Sequence, residues 1–125
     1  MSDGALKDLR ILVVEDEYLL AEDLRDVLSA AGAIVVGPCP TVADAIACLD
    51  AETPLDIAIL DVNLRGEMIF PVAELLDARA IPFIFTTGYQ QESFPEKFSR
   101  AAHLEKPVAA DKVASAVMEQ VHRSA

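Results

Sequence analysis

The sequence predicts an α/β fold in which a parallel β-sheet carries helices on both faces. Apolar blocks of four to six residues alternate with stretches in which apolar residues recur at helical spacing. The blocks contain few polar residues, which is typical of strands that are buried on both faces. Right-handed crossover connections between such strands give a doubly wound, five-stranded sheet.

Each of the first two strands precedes a helix. The first strand is predicted for residues 9–14 and the second for residues 34–36, where Gly37-Pro38 closes it. A helix with a regular apolar face lies between these two strands. Thr41 resembles the first residue of a capping box and predicts the start of a second helix.

Three further strands and two further helices follow in the second half of the chain. The third strand is predicted for residues 55–60, and Pro71 fits the first turn of the helix after it. The fourth and fifth strands are predicted for residues 82–85 and 101–104. The last helix ends near Arg123, where a cation suits the helix dipole.

The segment between the fourth and fifth strands, residues 88–100, predicts a fourth helix that is short or irregular. Pro95 has no backbone N–H and disfavours the helical conformation of Phe94. A regular helix is therefore expected to begin at or after Ser93. The segment starts directly after Thr87, which makes it a candidate switch that becomes more ordered when the site is modified.

Length and composition indicate one domain, residues 1–125, with a core of about 8–123. The chain is 53% hydrophobic and 25% charged, and its formal charge is -11, so it should repel a nucleic-acid backbone. The apolar run at residues 11–14 is too short for a targeting or membrane-spanning segment, so we expect no membrane contact. Cys39 and Cys48 are expected to be reduced, packed thiols, which indicates a cytoplasmic protein.

Polar residues follow four of the predicted strands. Since parallel strands end at one edge of a doubly wound sheet, these residues should meet there. They are Glu15, Asp16, Asp61, Thr87 and Lys106. Neighbouring carboxylates raise one another's pKa unless positive charge joins them, and Lys106 with a divalent cation would supply it. Mg²⁺ prefers such oxygen ligands, whereas no His or Cys ligand for a transition metal is near.

The motifs "ILVVEDE", "ILDVNLRGE", "FIFTTGY" and "LEKP" resemble those of the receiver domain of bacterial two-component response regulators. The resemblance spans nearly the whole chain. It implies a flavodoxin-like sheet of order 2-1-3-4-5 and a cis Lys106-Pro107 bond. It also implies a phosphoacceptor signalling domain that is not an enzyme, apart from self-phosphorylation and self-dephosphorylation.

The resemblance also implies a role for each site residue. Asp61 would accept a phosphoryl group from a phosphohistidine, and Asp16 and Asp61 would bind Mg²⁺ directly. Glu15, in place of the more usual Asp, would act through water, and Asn63 would offer its backbone carbonyl to the metal. The phosphoryl oxygens would be bound by Thr87 and Lys106. Such a site matches the needs of phosphoryl transfer, which are in-line positioning and charge neutralisation.

Departures from the commonest receiver pattern indicate the switch and the partner. His103 stands where many receivers carry a Tyr or Phe that moves on activation, and Tyr89 is a second switch candidate. The run from Pro82 to Tyr89 resembles a subgroup with a Phe-Ala-Thr-Gly-Tyr-like motif, often paired with kinases of the HWE or HisKA_2 type. A sensor histidine kinase of that type, or a histidine phosphotransfer protein, is therefore the expected partner.

Two other classes of function remain open from the sequence. A Mg²⁺-dependent aspartate-nucleophile phosphatase would carry a second Asp where Asn63 stands, and the sequence contains no cap domain. A pseudo-receiver would bind partners without phosphorylation, yet the acceptor and lysine positions are both filled. With no output domain expected, a phosphorelay shuttle, a phosphate sink and an allosteric binder are all compatible with the sequence.

Overall fold

The computed structural model describes residues 4–51, 54–88 and 94–124. Strands and helices alternate as predicted, with one short hairpin added after the third strand. In chain order the elements are β1 (Arg10–Val14), α1 (Tyr18–Ala30), β2 (Ile34–Cys39), α2 (Val42–Asp50), β3 (Ile57–Asp61), β4 (Asn63–Leu64), β5 (Glu67–Met68), α3 (Phe70–Ala78), β6 (Phe83–Thr87), a 3-10 helix (Glu96–Phe98), β7 (His103–Glu105) and α4 (Ala110–Ser124).

The strands other than β4 and β5 form one parallel sheet of order β2-β1-β3-β6-β7. Without the hairpin strands β4 and β5 this is the order 2-1-3-4-5, so the flavodoxin-like fold is confirmed. The chain order reverses beside β1, and the carboxyl ends of β1 and β3 flank the crevice where ligands bind in sheets of this kind.

Successive side chains of a β-strand point to opposite faces of the sheet, and the central strands follow this rule. Ile11 and Val13 of β1 belong to the cluster that α1 and α4 cover. Leu12 and Val14 belong to the cluster that α2 and α3 cover. Every residue of β3 is buried, because this strand lies in the middle of the sheet. Helices on both faces were predicted and are observed.

The second strand is longer than the sequence predicts. It continues through Gly37-Pro38 to Cys39, with an irregular register against β1 and a cis peptide bond between Gly37 and Pro38. β2 is an edge strand, and one side of such a strand has no neighbouring strand. A proline, which lacks a backbone N–H, can therefore lie there without the loss of a hydrogen bond between strands. A Cβ at Gly37 would lie 2.9 Å from the Val13 carbonyl oxygen, which explains the glycine.

The predicted bounds of three strands shift by one or two residues toward the carboxyl edge. β3 ends at Asp61, β6 ends at Thr87 and β7 spans His103–Glu105. Asp61 and Thr87 are thus the last residues of their strands, whereas the predicted strands end before them. The sheet hydrogen bonds therefore fix their backbone positions directly.

The segment after β6 bears out the prediction of a short or irregular fourth helix within residues 94–100. Only the 3-10 helix Glu96–Phe98 forms there, and Pro95 precedes it. Phe94 and Phe98 contact Phe70 and Phe85, and Phe83 completes a cluster of all five phenylalanines of the chain. The predicted switch residue Tyr89 lies outside the described residues.

Cys39 and Cys48 are free thiols, as predicted, and their sulfur atoms lie 3.3 Å apart. Burial, reinforced by the hydrogen bond with Cys48, raises the pKa of the Cys39 thiol to about 12. This thiol therefore stays protonated near neutral pH. Among the described residues, none of the helices is both long enough and apolar enough to span a membrane.

Candidate functional site

The carboxyl edge of the sheet gathers the acidic residues that the chain separates. Glu15 and Asp16 follow β1, and Asp61 ends β3, which pairs with β1. One carboxylate oxygen from each of the three lies within 4.8 Å of the others. Measured over the whole residue, Glu15 is 5% exposed and Asp61 is 4% exposed, so two of these acids are shielded from bulk water. The predicted cluster is present.

Lys106 supplies the positive charge for two of the acids. Its Nζ lies 2.9 Å from Oδ2 of Asp61 and 3.0 Å from Oε1 of Glu15. Its backbone N–H donates to the Thr87 carbonyl oxygen at 2.8 Å, which fixes the lysine against the end of β6. The Lys106-Pro107 peptide bond is cis, as expected.

Backbone N–H groups hold the same two carboxylates in place. The N–H of Asn63 donates to Oδ1 of Asp61 at 3.2 Å, and the N–H of Glu17 donates to Oε2 of Glu15 at 3.1 Å. Each donor lies two residues after its acceptor, so the chain that leaves each strand positions the strand's own acid. Both carboxylates also contact the ammonium of Lys106.

The electrostatic balance of the site leaves Asp61 easy to protonate. Burial is the main cause that raises the pKa of Asp61 to about 7, and the nearby Glu15 charge adds to it, while Lys106 acts in the opposite direction. Burial lowers the pKa of Lys106, but the hydrogen bonds to Asp61 and Glu15 outweigh it, and the net pKa is raised. The site therefore carries too little positive charge for its three acids.

Asp16 pairs with a cation that was not among the predicted site residues. Lys106 and a divalent cation were expected to supply the positive charge of the cluster, and Arg65 adds a further cation, whose Nε lies 3.3 Å from Oδ2 of Asp16. Arg65 and Gly66 form the turn between β4 and β5, with φ values of 55° and 93°. Positive φ at both turn residues suits a two-residue hairpin loop.

The hairpin that places Arg65 was not predicted. The run Asn63 to Met68 has no repeating apolar pattern, and an Arg-Gly turn lacks the Asn-Gly or Asp-Gly signature of such loops. The one available signal is Asn63, whose side-chain oxygen accepts a hydrogen bond from the N–H of Gly66. An asparagine three residues before a glycine is weak grounds for a hairpin, and the role of Arg65 was missed with it.

The remaining predicted residues lie around this cluster with fewer contacts. Thr87 ends β6 next to Lys106, but no side-chain hydrogen bond joins it to Asp61 or Lys106, all three of which the structure describes. His103 is exposed at the start of β7, and its ring lies 6.5 Å from that of Phe94. The position of His103 is thus at the border of the phenylalanine cluster.

An open depression of about 300 Å³ gives access to the site. It is lined by Glu17, Leu20, Gly88, Lys106 and Pro107. Tyr18 and Leu19, at the start of α1 and close to Asp16 in the chain, are 74% and 76% exposed. Among the described residues, these two are the most exposed large apolar side chains.

The crevice, the acidic cluster and the bridging lysine agree with the comparison to protein families. Residues 11–118 match the model of the response regulator receiver domain. The chain belongs to this family. Receiver domains are signalling domains of two-component systems, and a histidine kinase phosphorylates them.

Relatives of known sequence are consistent with this assignment. The sensory transduction protein LytT of Bacillus cereus is 33% identical over 86 residues, which are 66% of this chain and 35% of that protein. LytT of Bacillus anthracis matches to the same extent. The receiver domain thus aligns with about a third of the length of these relatives.

Solved structures resemble the receiver domain over most of its length. The solution structure of SdrG from Sphingomonas melonis Fr1 is 43% identical, has a TM-score of 0.80 and covers 92% of this chain and 97% of that one. The BeF3-activated conformation of SdrG, from Pseudomonas melonis Fr1, is 43% identical with a TM-score of 0.75, over 97% and 99% of the two chains. A response regulator receiver protein from Sinorhizobium medicae WSM419 shares the fold at 21% identity and a TM-score of 0.79, over 96% and 99%.

Proposed function

We propose that this receiver domain takes a phosphoryl group from a phosphohistidine onto Asp61 and signals through a phosphorylation-dependent protein surface. The observation that carries the proposal is the position of the Asp61 carboxylate. It ends a central strand, and the ammonium of Lys106, a residue that lines the open depression, is 2.9 Å from its Oδ2. A bond would form between a carboxylate oxygen and phosphorus while the bond to the donor imidazole breaks.

The residues around Asp61 suit the needs of that transfer. The N–H of Asn63 holds Oδ1 and Lys106 holds Oδ2, so the carboxylate is oriented before the donor arrives. The Lys106 ammonium would bind one oxygen of the transferred phosphoryl group, and the Thr87 hydroxyl would bind a second phosphoryl oxygen. Thr87 would have to turn toward Asp61 on phosphorylation, since no hydrogen bond joins their side chains beforehand.

Mg²⁺ is the proposed metal, since the acidic cluster offers hard oxygen ligands and no sulfur or imidazole. Asp16 and Asp61 would bind it directly, Glu15 through water and Asn63 through its backbone carbonyl. When bound, the metal would neutralise charge on the phosphoryl group. The pKa of Asp61, raised to about 7, fits a site with less positive charge than its acids need.

The decisive test of the phosphoacceptor role is labelling of the wild type and of Asp61→Asn with a phosphorylated histidine kinase or acetyl phosphate in the presence of Mg²⁺. Stable label on the wild type and none on Asp61→Asn is expected. Asp77→Asn is the control, since Asp77 is an exposed acid that contacts a lysine far from the site. Wild-type labelling of Asp61→Asn would disprove the assignment, turnover without stable label would favour the phosphatase, and no label a pseudo-receiver.

Metal binding is expected to stabilise the folded state, because the folded state alone assembles the three acids. Mg²⁺ at about millimolar concentration should raise the melting temperature of the wild type, and Asp16→Ala should abolish that gain. Thermal melts with Mg²⁺ and with chelator measure the difference. An equal gain in both proteins would remove Asp16 from the metal site.

The segment from Gly88 to Arg100 is the proposed switch. Within its described part, the 3-10 helix Glu96–Phe98 is held mainly by Phe94 and Phe98. Amide hydrogen exchange in this segment should slow when beryllofluoride binds at Asp61. The solution structure of the related protein SdrG in a BeF3-activated conformation supports the use of this reagent. Unchanged exchange at proven occupancy would contradict this role, and with it that of His103 and Tyr89.

The proposed partners follow from the family and from the surface. The phosphodonor would be a sensor histidine kinase, of the HWE or HisKA_2 type if the chain belongs to the Phe-Ala-Thr-Gly-Tyr-like subgroup, or a histidine phosphotransfer protein. Tyr18 and Leu19 offer it an apolar contact beside the site. A pull-down with and without beryllofluoride would identify a phosphorylation-dependent partner and separate an allosteric binder from a shuttle or a phosphate sink.

A further inference from the structure

Arg65 lies at the edge of the acidic cluster in a backbone conformation that few non-glycine residues adopt. Its φ is 55°, in the left-handed region. The turn begins only a few residues after Asp61, and the hydrogen bond between Asn63 and Gly66 closes it. The hairpin thereby holds the arginine over Asp16, and a left-handed arginine at the border of a functional site invites a functional explanation.

Two cations contact the three acids of the cluster. Glu15 and Asp61 share Lys106, whereas Asp16 has Arg65 as its cation. Asp16 is only 10% exposed at its side chain, but Arg65 is 82% exposed. The acid is therefore largely buried, while the arginine can turn to solvent at little cost, because ion pairs with an exposed partner are weak.

We infer that Arg65 is an exchangeable counter-cation of Asp16 that sets the affinity of the site for divalent metal. Arg65 holds Oδ2 of Asp16 while metal is absent, and it turns to solvent when a cation takes that oxygen. The guanidinium is thus a positioning residue that keeps the carboxylate oriented and at the same time competes with the metal. This inference rests on the magnesium site proposed above.

The size of the effect follows from the exposure of the pair. A contact of this kind weakens metal binding by a modest factor, so removing the arginine should tighten Mg²⁺ binding by about two- to fivefold. Salt screens exposed charges, so the advantage of the variant should shrink in high salt. A role limited to holding the turn would change stability and leave the metal affinity unaltered.

The test is calorimetric titration of metal-free protein with Mg²⁺, in low salt and in high salt. Arg65→Gly removes the side chain without straining the turn, since glycine adopts positive φ freely. Arg65→Lys keeps a cation at the turn and should bind Mg²⁺ nearly as the wild type does. Arg123→Gln is the charge-matched control, because Arg123 lies at the far end of α4 and contacts Glu119.

Tighter binding by Arg65→Gly alone, reduced in high salt, is the expected result. Equal affinity of Arg65→Gly and wild type, or an equal gain in Arg123→Gln, would overturn the inference while leaving a metal site that Asp16→Ala still abolishes. No binding by wild type or Arg65→Gly would overturn the inference and the proposed metal site together. As a second readout, the Nε–H resonance of Arg65 should move toward that of free arginine as Mg²⁺ is added.

Discussion

Lys106→Met is expected to lower the free energy of unfolding by about 3 kcal/mol near pH 8 in the presence of chelator, the range for breaking a buried ion pair. The lysine side chain is 16% exposed and contacts two carboxylates that are 4% and 6% exposed. Without it, two buried acids face each other with no cation between them. Urea unfolding of wild type and variant measures the difference.

The loss should depend on pH and on metal. Lys106 acts to lower the pKa of Asp61, so its removal should move that pKa further above 7. Protonated Asp61 has no charge to compensate, and the loss should therefore shrink as the pH falls from 8 to below about 7. Mg²⁺ should also recover part of it, since the cation replaces the missing charge.

Lys97→Met is the matched control for this experiment. Lys97 also contacts two carboxylates, at 2.7 Å from Glu74 and 3.4 Å from Asp77, but all three side chains are more than half exposed. Water screens such a surface cluster, so the same substitution should have a much smaller effect. A comparable loss in both variants would show that burial of the Lys106 cluster is not the source of its stabilisation.

Asp61→Asn is expected to have the opposite effect and to stabilise the metal-free protein. The folded-state pKa of Asp61, about 7, is above its ordinary value of 3.8, because burial disfavours the charged form. Ionised Asp61 therefore costs folding free energy, and its removal should raise the free energy of unfolding on the order of 4 kcal/mol above pH 7. Denaturant unfolding over a series of pH values measures this gain.

The sign of the pH dependence makes the prediction specific. Between about pH 4 and pH 7 the folded wild type binds more protons at Asp61 than the unfolded chain does, so its stability falls as the pH rises. Asn does not titrate. The gap between variant and wild type should thus be absent near pH 4 and widest above pH 7. A constant gap would mean that Asp61 is already ionised at low pH.

A double-mutant cycle links the two predictions. In the Asp61→Asn background, Lys106→Met should cost less than in the wild type, because only Glu15 then remains to be compensated. Asp77→Asn, at an exposed acid beside Lys97, should alter neither the stability nor the cost of Lys106→Met. Strict additivity would show that Lys106 and Asp61 do not interact energetically.

The sequence by itself determined the fold and the membership of the acidic cluster. Continuous apolar blocks predict strands buried on both faces, and parallel strands must end at one edge, so Asp16, Asp61 and Lys106 had to meet. Local patterns also sufficed where their cause is local. Within residues 94–100 Pro95 precedes a 3-10 helix in place of a regular helix, and Thr41 accepts from the N–H of Asp44 at the start of α2.

Only the tertiary structure decided which cation compensates which acid. Lys106 reaches Glu15 and Asp61, while Asp16 falls to Arg65, because the turn after β4 directs the arginine across the site. Such pairings depend on φ values and side-chain rotamers that no spacing in the sequence specifies. The contact of Cys39 with Cys48 and the shared cluster of five phenylalanines arose in the same way. They join elements that become neighbours only once the sheet has formed, and the free energy of packing, rather than local preference, selects them.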